Sequence, residues 1–532
     1  MRYDVHSYRF PSKRNVVFAK NGMVSTSHPL AAQAGLNILR KGGNAVDAAI
    51  AVAAALTVVE PTSNGIGGDA FALIWKKGKL YGLNASGPAP QTIQIDRLKD
   101  SKKMQTHGWE PVTVPGIPAA WAALSERFGT LNYRELFGDA IGFAQNGYPV
   151  SVTTAHYWNR AYSLYKDAFT DPMFRHWFSV FAPQGHAPLA GEIWKSSEHA
   201  ASLTSISETF SHSFYHGELA QQIDRFSRET GGFLTRDDLA HYAVEWVNPI
   251  SVHYKGYDVW EIPPNGQGMV ALSALGLLAA DSFNDYTAEF VHAQIEALKL
   301  GFADAHAYIA DKKNMTYTTA QLLASDYLLQ RRNEITARAS LPCAGIPDKG
   351  GTVYLATADA EGMMVSYIQS NYTGFGSGLV VPGTGIALQN RGCNFSVEPT
   401  HPNCLAPGKR PYHTIIPGFL TRNNEAIGPF GVMGGFMQPQ GHLQVIMNTI
   451  DRACNPQEAL DAPRFQWTES NKVMIEPEFD VSIADELKKR GHEISVNIDH
   501  GHFGRGQIIW RNNDGVLCGG TEKRTDGTIA VF

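Results

Sequence analysis

The chain has 532 residues, 43% of them hydrophobic, which is ample for a large buried core. Its formal charge is −5, with no basic stripe and no run of like charge, so nucleic acid is excluded as an expected partner. No apolar run reaches the ~18 residues of a membrane span, so no membrane association is expected either.

The first ten residues, Met1 to Phe10, contain no apolar signal-peptide core, and a cytoplasmic location is expected. The five cysteines, Cys343, Cys393, Cys404, Cys454 and Cys518, show no CxxC spacing and read as thiols of a reducing compartment. Ala45 to Val59 is a run of helix formers, apolar on nearly all sides, and predicts a buried helix. Gly65-Ile66-Gly67-Gly68-Asp69-Ala70 fits a loose dinucleotide fingerprint. That motif needs a strand before it and a helix after it, and here the order is reversed. The glycines instead predict a loop passing close to the core. Residues 70–90 read as a hairpin turning at Lys76-Lys77-Gly78-Lys79.

Residues 118–150 read as helical, ending at Gly147-Tyr148-Pro149. Thr235 is an expected N-cap for Arg236-Asp237-Asp238-Leu239. Pro263 to Gly268 is a loop before another buried helix, and Glu289 to Tyr308 has helical periodicity. Residues 334–351, with Pro342, Gly345, Pro347 and a glycine pair, read as a linker. Val353–Ala358 and Met363–Ile368 flank the turn Asp359-Ala360-Glu361-Gly362 and predict a second hairpin. The pairs His212/His216 and His500/His502 lie in no metal motif, so no metal is expected.

Thr352 begins that second hairpin, directly after Gly350-Gly351. A threonine hydroxyl is a weak nucleophile and needs a base. Cleavage between Gly351 and Thr352 would create an α-amino group on the same residue. Such a group titrates near pH ~8 and can accept the hydroxyl proton. Gly-Gly-Thr on its own is equally an ordinary turn before an ordinary strand.

The wider pattern resembles the γ-glutamyltranspeptidase family of N-terminal-nucleophile hydrolases. Gly350 to Gly378 matches through Thr352, Asp359, Gly362, Ser370 and Phe375-Gly376-Ser377-Gly378. Further matches are Gly42 to Ala49, Val59-Glu60-Pro61, Gly65 to Gly68 and Val114-Pro115-Gly116. Late in the chain come Lys409-Arg410-Pro411, Gly434-Gly435 and Ala462-Pro463-Arg464-Phe465. The resemblance implies an α/β fold, a four-layer αββα sandwich with one core built by both subunits. Residues 1–351 would be the large subunit, ending in the linker at about 334–351, and residues 352–532 the small one. The two would form a heterodimer, or a dimer of such heterodimers. Thr352 would be the nucleophile and Ser370 would steady its amino group. The backbone N–H groups of Gly434 and Gly435 would hold the oxyanion. No metal or organic cofactor is implied.

The substrate positions depart from the family. Asn84 stands where an arginine holds the γ-glutamyl α-carboxylate, and it cannot form a charged fork. Tyr372, Arg391 and Asn394 stand at the acceptor positions for the amino group, and His413-Thr414 replaces a serine pair. A cationic substrate amino group would meet Arg391. Like charges at an effective dielectric of ~20 repel by several kcal/mol. The set predicts an acyl group with a carboxylate and no α-amino group, oxamate-like or glutaryl-like. Arg391 would be its clamp, with His413 and Thr414 as added donors. Pairing of Arg391 with a structural acid is the equal alternative. Val397 to Gly408 is also shorter than the lid of transpeptidases, so a site open to water is expected.

The pattern resembles the family's acylase and amidohydrolase branch. The expected activity is hydrolysis of a small-molecule amide through an acyl-Thr352 intermediate. The rivals are a γ-glutamyl hydrolase or transferase and an unprocessed binding scaffold.

Overall fold

The computed structural model describes residues 14–98, 103–283, 285–341 and 351–532. The part of the expected linker from 342 to 350, including Cys343 and Gly350, lies outside the described residues.

The alanine-rich stretch forms the helix Ala45–Val59, and all of its residues are buried. Its start is fixed locally. Asn44 Oδ1 accepts from the N–H groups of Val46 and Asp47, and the Asp47 carboxylate accepts from Asn44 N–H. This reciprocal cap satisfies N–H groups that a helix start leaves open. Asp359, from the turn of the second hairpin, also accepts from Ala45 N–H at 2.9 Å. Thr357 donates to Ala45 O at 2.7 Å. The family-like helix and the hairpin that begins at Thr352 are thereby joined at their ends.

That hairpin is Gly351–Asp359 paired with Met364–Tyr372. Successive side chains of a strand point to opposite faces. Val353, Leu355, Val365 and Tyr367 share one core with the helix Ala45–Val59. Tyr354, Ala356, Met364 and Ile368 share another with Phe419, Met433 and Ile509 of a second sheet. The first sheet is seven-stranded, in the order Thr528–Val531, Gly22–Thr26, Gly351–Asp359, Met364–Tyr372, Asp69–Lys76, Lys79–Ala85, Glu245–Val247. The second also has seven strands: Val17–Ala19, Leu517–Thr521, Arg505–Arg511, Glu425–Met433, Gly418–Arg422, Tyr257–Glu261, Ile250–Tyr254. Every pairing within these two sheets is antiparallel. Phe430, Val432 and Ile508 pack with the helices Gly268–Leu278, Ala288–Tyr308 and Met437–Ile450.

The first hairpin is found at Asp69–Lys76 and Lys79–Ala85, and Thr235 caps Arg236–Ala240. The region 118–150 is not one helix. It comprises Ile117–Phe128, a 3-10 segment Tyr133–Phe137 and the helix Gly138–Asn146, which stops at Gly147 with φ 88°. No helix among the described residues is long and apolar enough to cross a membrane.

Candidate active site

Thr352 sits at an irregularity in its own hairpin. Gly351 pairs with Tyr372 and Val353 with Gln369, so the register shifts at Thr352. A bulge of this kind re-aims a side chain. Thr352 is fully buried, and its hydroxyl donates to Ser370 Oγ at 3.2 Å. Ser370 Oγ also accepts from Tyr372 N–H at 2.7 Å. Tyr372 holds φ 79°, a left-handed conformation that costs a non-glycine residue of order 1 kcal/mol or more.

A third group reaches the same hydroxyl. Gln438 Nε2 lies 3.4 Å from Thr352 Oγ1, and Gln438 Oε1 accepts from Ile416 N–H at 2.9 Å. Gln438 belongs to the helix Met437–Ile450, which begins directly after Gly434-Gly435-Phe436. The glycines therefore lie beside a helix N-terminus, whose positive end favours negative charge. Gly434 has φ 139° and Gly435 φ 60°. A Cβ on Gly434 would come within 3.2 Å of Gly504 Cα. Both conformations favour glycine, and the carbonyl of Gly435 is held by Gln267 Nε2 at 2.9 Å.

Of the expected substrate groups, Asn84, Tyr372, Arg391, His413 and Thr414 are buried and Asn394 is half-buried. Asn84 is engaged by its neighbours: its Oδ1 accepts from Ser86 N–H and Oγ, and its Nδ2 donates to Asn265 Oδ1 at 2.9 Å. His413 is not a spare donor, which corrects the expectation from sequence. His413 Nε2 donates to Asp69 Oδ2 at 3.1 Å and its Nδ1 accepts from Ile415 N–H at 3.3 Å, so both ring nitrogens are used. Thr414 Oγ1 accepts from Arg391 Nη1 at 2.6 Å. Asn394 Nδ2 donates to Tyr412 O at 3.2 Å.

Asp69 also accepts from Gln389 Nε2 at 2.7 Å and Gly87 N–H at 3.1 Å. Burial pushes its carboxyl up to about 7, against the pull of the Arg391 charge and of these hydrogen bonds. Burial, helped by Arg391, drives His413 well below the usual imidazole range, so it is neutral. Arg391 is fully buried, and its guanidinium carbon lies 4.3 Å from the Tyr372 ring centre. Burial lowers it to about 10, with Tyr372 and Asp69 opposing, which leaves it charged at neutral pH. No acid among the described residues lies within ion-pair distance of it, and its Nε and Nη2 make no hydrogen bond there. The alternative of a structural ion pair is therefore not seen.

Two cavities meet at Thr106 and Thr373. One, about 640 Å³, is walled by Tyr372, Asn394, Phe395, His401, Tyr412 and Phe436 among others. The short segment before Lys409 forms part of this wall, and Lys409 Nζ pins it by donating to Cys404 O at 2.8 Å. The second, about 560 Å³, is walled by Met433, Gly434, Tyr157, Ala161, Tyr165 and Arg505 among others. Arg391 lines neither; Tyr372 stands between it and the first cavity.

Other motifs acquire roles from their contacts. A Cβ on Gly68 would lie 2.5 Å from Ser370 O, so the glycine loop does pass against the core at the site. Gly68 O accepts from Gly116 N–H at 2.9 Å, which docks Val114-Pro115-Gly116 there. Arg464 donates to the carbonyls of Phe503 and Gly504 at 2.9 and 3.0 Å, bracing the strand that backs Gly434. Sequence reading missed Asp69, Gln389 and Gln438 as members of the site. Asp69 follows the glycine loop directly and Gln438 closely follows the glycine pair, so adjacency was the available signal.

Two clusters have metal-like composition, His292/Glu296/His492 and Glu476/Glu478/His500. In the first, Lys299 lies 2.7 Å from Glu296; in the second, Arg524 donates to Glu476. Neither includes a residue of the site.

The sequence profile described as "Gamma-glutamyltranspeptidase" matches residues 31–532, and the chain belongs to the γ-glutamyltranspeptidase family; it is an enzyme of that family. The crystal structure of a cephalosporin acylase from Bacillus halodurans superposes with a TM-score of 0.96 at 57% identity, covering 100% of this chain and 99% of that one. The glutathione hydrolase-like YwrD proenzyme of Bacillus subtilis is 35% identical, covering 96% of this chain and 98% of its own. The oxamate amidohydrolase proenzyme of Klebsiella pneumoniae is 32% identical over the same shares.

Proposed function

We propose that the chain is a proenzyme cut between Gly351 and Thr352, and that the product hydrolyses an amide through an ester on Thr352. The observation that carries this reading is the convergence of Ser370 and Gln438, the latter three residues past the glycine pair, on one buried threonine hydroxyl at a strand start. In the reaction, Thr352 Oγ attacks the amide carbonyl and its proton passes to the new α-amino group. Gly434 and Gly435 N–H groups hold the oxyanion, where a single donor is worth ~10²–10³ in rate. The C–N bond then breaks, and the ammonium returns its proton to the leaving amine. Water attacks the ester and frees Thr352. The large subunit is residues 1–351 and the small subunit 352–532, layered as an αββα sandwich to whose cores both contribute.

The acyl group is a small one bearing a carboxylate and lacking an α-amino group. Arg391 supports this: it is a buried, charged guanidinium without an acid partner among the described residues, one aromatic ring behind the cavity wall. The relatives named as an acylase and an amidohydrolase agree with the reaction class. The γ-glutamyl alternative is weaker, because Asn84 is neutral and already engaged. The test is intact mass of the 352–532 fragment after brief exposure to a panel of acyl amides. An adduct on Thr352 from glutaryl or oxalyl amides is expected; a preference for γ-glutamyl amides would refute the substrate assignment.

A further inference from the structure

The second cavity is not used by the acyl group in the scheme above, yet Gly434 forms part of its wall. Gly434 is the oxyanion donor of the proposed reaction, so whatever occupies this cavity lies against the reacting carbonyl. An amide carbonyl has two substituents, the acyl chain and the amine. If the acyl chain takes the cavity walled by Tyr372, the amine faces the other.

The chemistry of this second cavity is mixed in a particular way. Ala161, Leu164, Tyr165, Ala168 and Met433 give it an apolar body. Arg505 gives it a cation. The pairing of Met433 with Arg505 places Arg505 next to the residue preceding Gly434, so the strand register fixes the cation beside the glycine. The guanidinium is stacked 4.4 Å over the Tyr157 ring and is nine-tenths buried. Its one acid contact among the described residues is long, 3.5 Å from Nη1 to Glu60 Oε1, and its Nε makes no hydrogen bond there. Glu60 also accepts from Ser27 Oγ, and burial pushes its carboxyl up to about 7 against the pull of the Arg505 charge. The other arginine of the wall, Arg160, is by contrast paired with Asp499 at 3.1 Å. A buried guanidinium with an open donor, stacked on an aromatic face, suits a carboxylate.

We propose that the cavity between Gly434 and Arg505 receives the amine half of the substrate, and that Arg505 selects amines carrying a carboxylate on an apolar or aromatic body. This rests on the reading of Thr352 as the acylated residue, but it can be tested apart from it. Binding of two free amines to the processed protein, 5-amino-2-nitrobenzoate and 4-nitroaniline, is measured by titration calorimetry. The carboxylated amine is expected to bind ~10-fold tighter or more, the size of one charge-assisted contact. Arg505→Gln should abolish the difference and Arg505→Lys restore part of it. Ala161→Phe, which shortens the cavity without touching the cation, should weaken both amines. In turnover, the glutaryl amides of the same two amines should differ mainly in KM, with the difference lost in Arg505→Gln. Equal binding of the two amines by the unaltered protein would overturn the proposal, as would an undiminished preference in folded Arg505→Gln. Failure of Thr352 to form any adduct, with the binding preference intact, would instead count against the hydrolase reading alone.

Discussion

Arg391 lies with its guanidinium carbon 4.3 Å from the centre of the Tyr372 ring, and Tyr372, not Arg391, forms the cavity wall. On the substrate assignment proposed above, the cation would act on an acyl carboxylate through this ring. It is fully buried, and although the Asp69 charge acts on it, no acid among the described residues lies within ion-pair distance. Arg391→Gln keeps a polar side chain and removes the charge. It should lower kcat/KM for glutaryl amides by roughly ten- to a hundredfold, the equivalent of ~1.5–3 kcal/mol. Butyryl amides, of similar size without the carboxylate, should lose far less. Equal losses for both would make Arg391 a structural residue.

Self-cleavage should follow from the bulge that aims Thr352 at Ser370. Purified protein is expected to run as two fragments on a denaturing gel. Thr352→Ala should run as one, while Thr352→Ser, which keeps a hydroxyl, should still cleave. Ser370→Ala removes the hydroxyl that accepts from Thr352 and from Tyr372 N–H. It should slow cleavage and reduce kcat with little change in KM. An intact chain with full amidase activity would exclude the N-terminal-nucleophile mechanism.

Much of this site could be read from sequence where the signal was local. Ala45–Val59 declared itself by composition, and the hairpin after Gly351 by its alternation and turn. The loop Gly65 to Gly68 was visible through its glycines, of which Gly67 and Gly68 leave no room for a Cβ. The commitments of polar side chains were not visible. His413 reads as a free donor until Asp69, 344 positions away, is seen to hold its Nε2. That Arg391 stands behind the Tyr372 ring and not in the cavity wall was equally hidden. Arg505 carried no signal at all, because its place depends on pairing with Met433. Such contacts are set by sheet register and layer packing, which single-residue patterns do not encode.

Water should outcompete amine acceptors for the acyl-enzyme. The segment before Lys409 is short, and Lys409 pins it to its own carbonyls; Asn403 Nδ2 ties it to Asn394 O at 2.7 Å. It is held as a wall of the first cavity and has little slack to fold across it. With a glutaryl amide and a large excess of glycylglycine, glutarate is expected to dominate over glutaryl-glycylglycine by chromatography. A dominant transfer product would show that the segment does exclude water.

Acid should destabilise the fold through Glu476 in particular. Burial disfavours its charge, but the Arg524 charge and hydrogen bonds outweigh this and pull it down to about 2 from 4.5. Arg464, which braces the carbonyls behind Gly434, donates its backbone N–H to the same carboxylate at 2.8 Å. A carboxyl whose folded pKa is depressed binds fewer protons folded than unfolded. Its stabilisation is complete above pH ~4.5 and is lost as pH falls toward ~2, on the order of 3 kcal/mol in all. The part of the urea midpoint that Glu476 supplies should therefore be constant from pH 7 to 5 and lost between pH 4.5 and 2.5. Glu476→Gln keeps the shape and removes the titration. It should be less stable at pH 7, since Arg524 loses half of its buried charge compensation, and should show a shallower decline below pH 4.5. A decline of unchanged steepness in Glu476→Gln would place the acid sensitivity in other carboxylates.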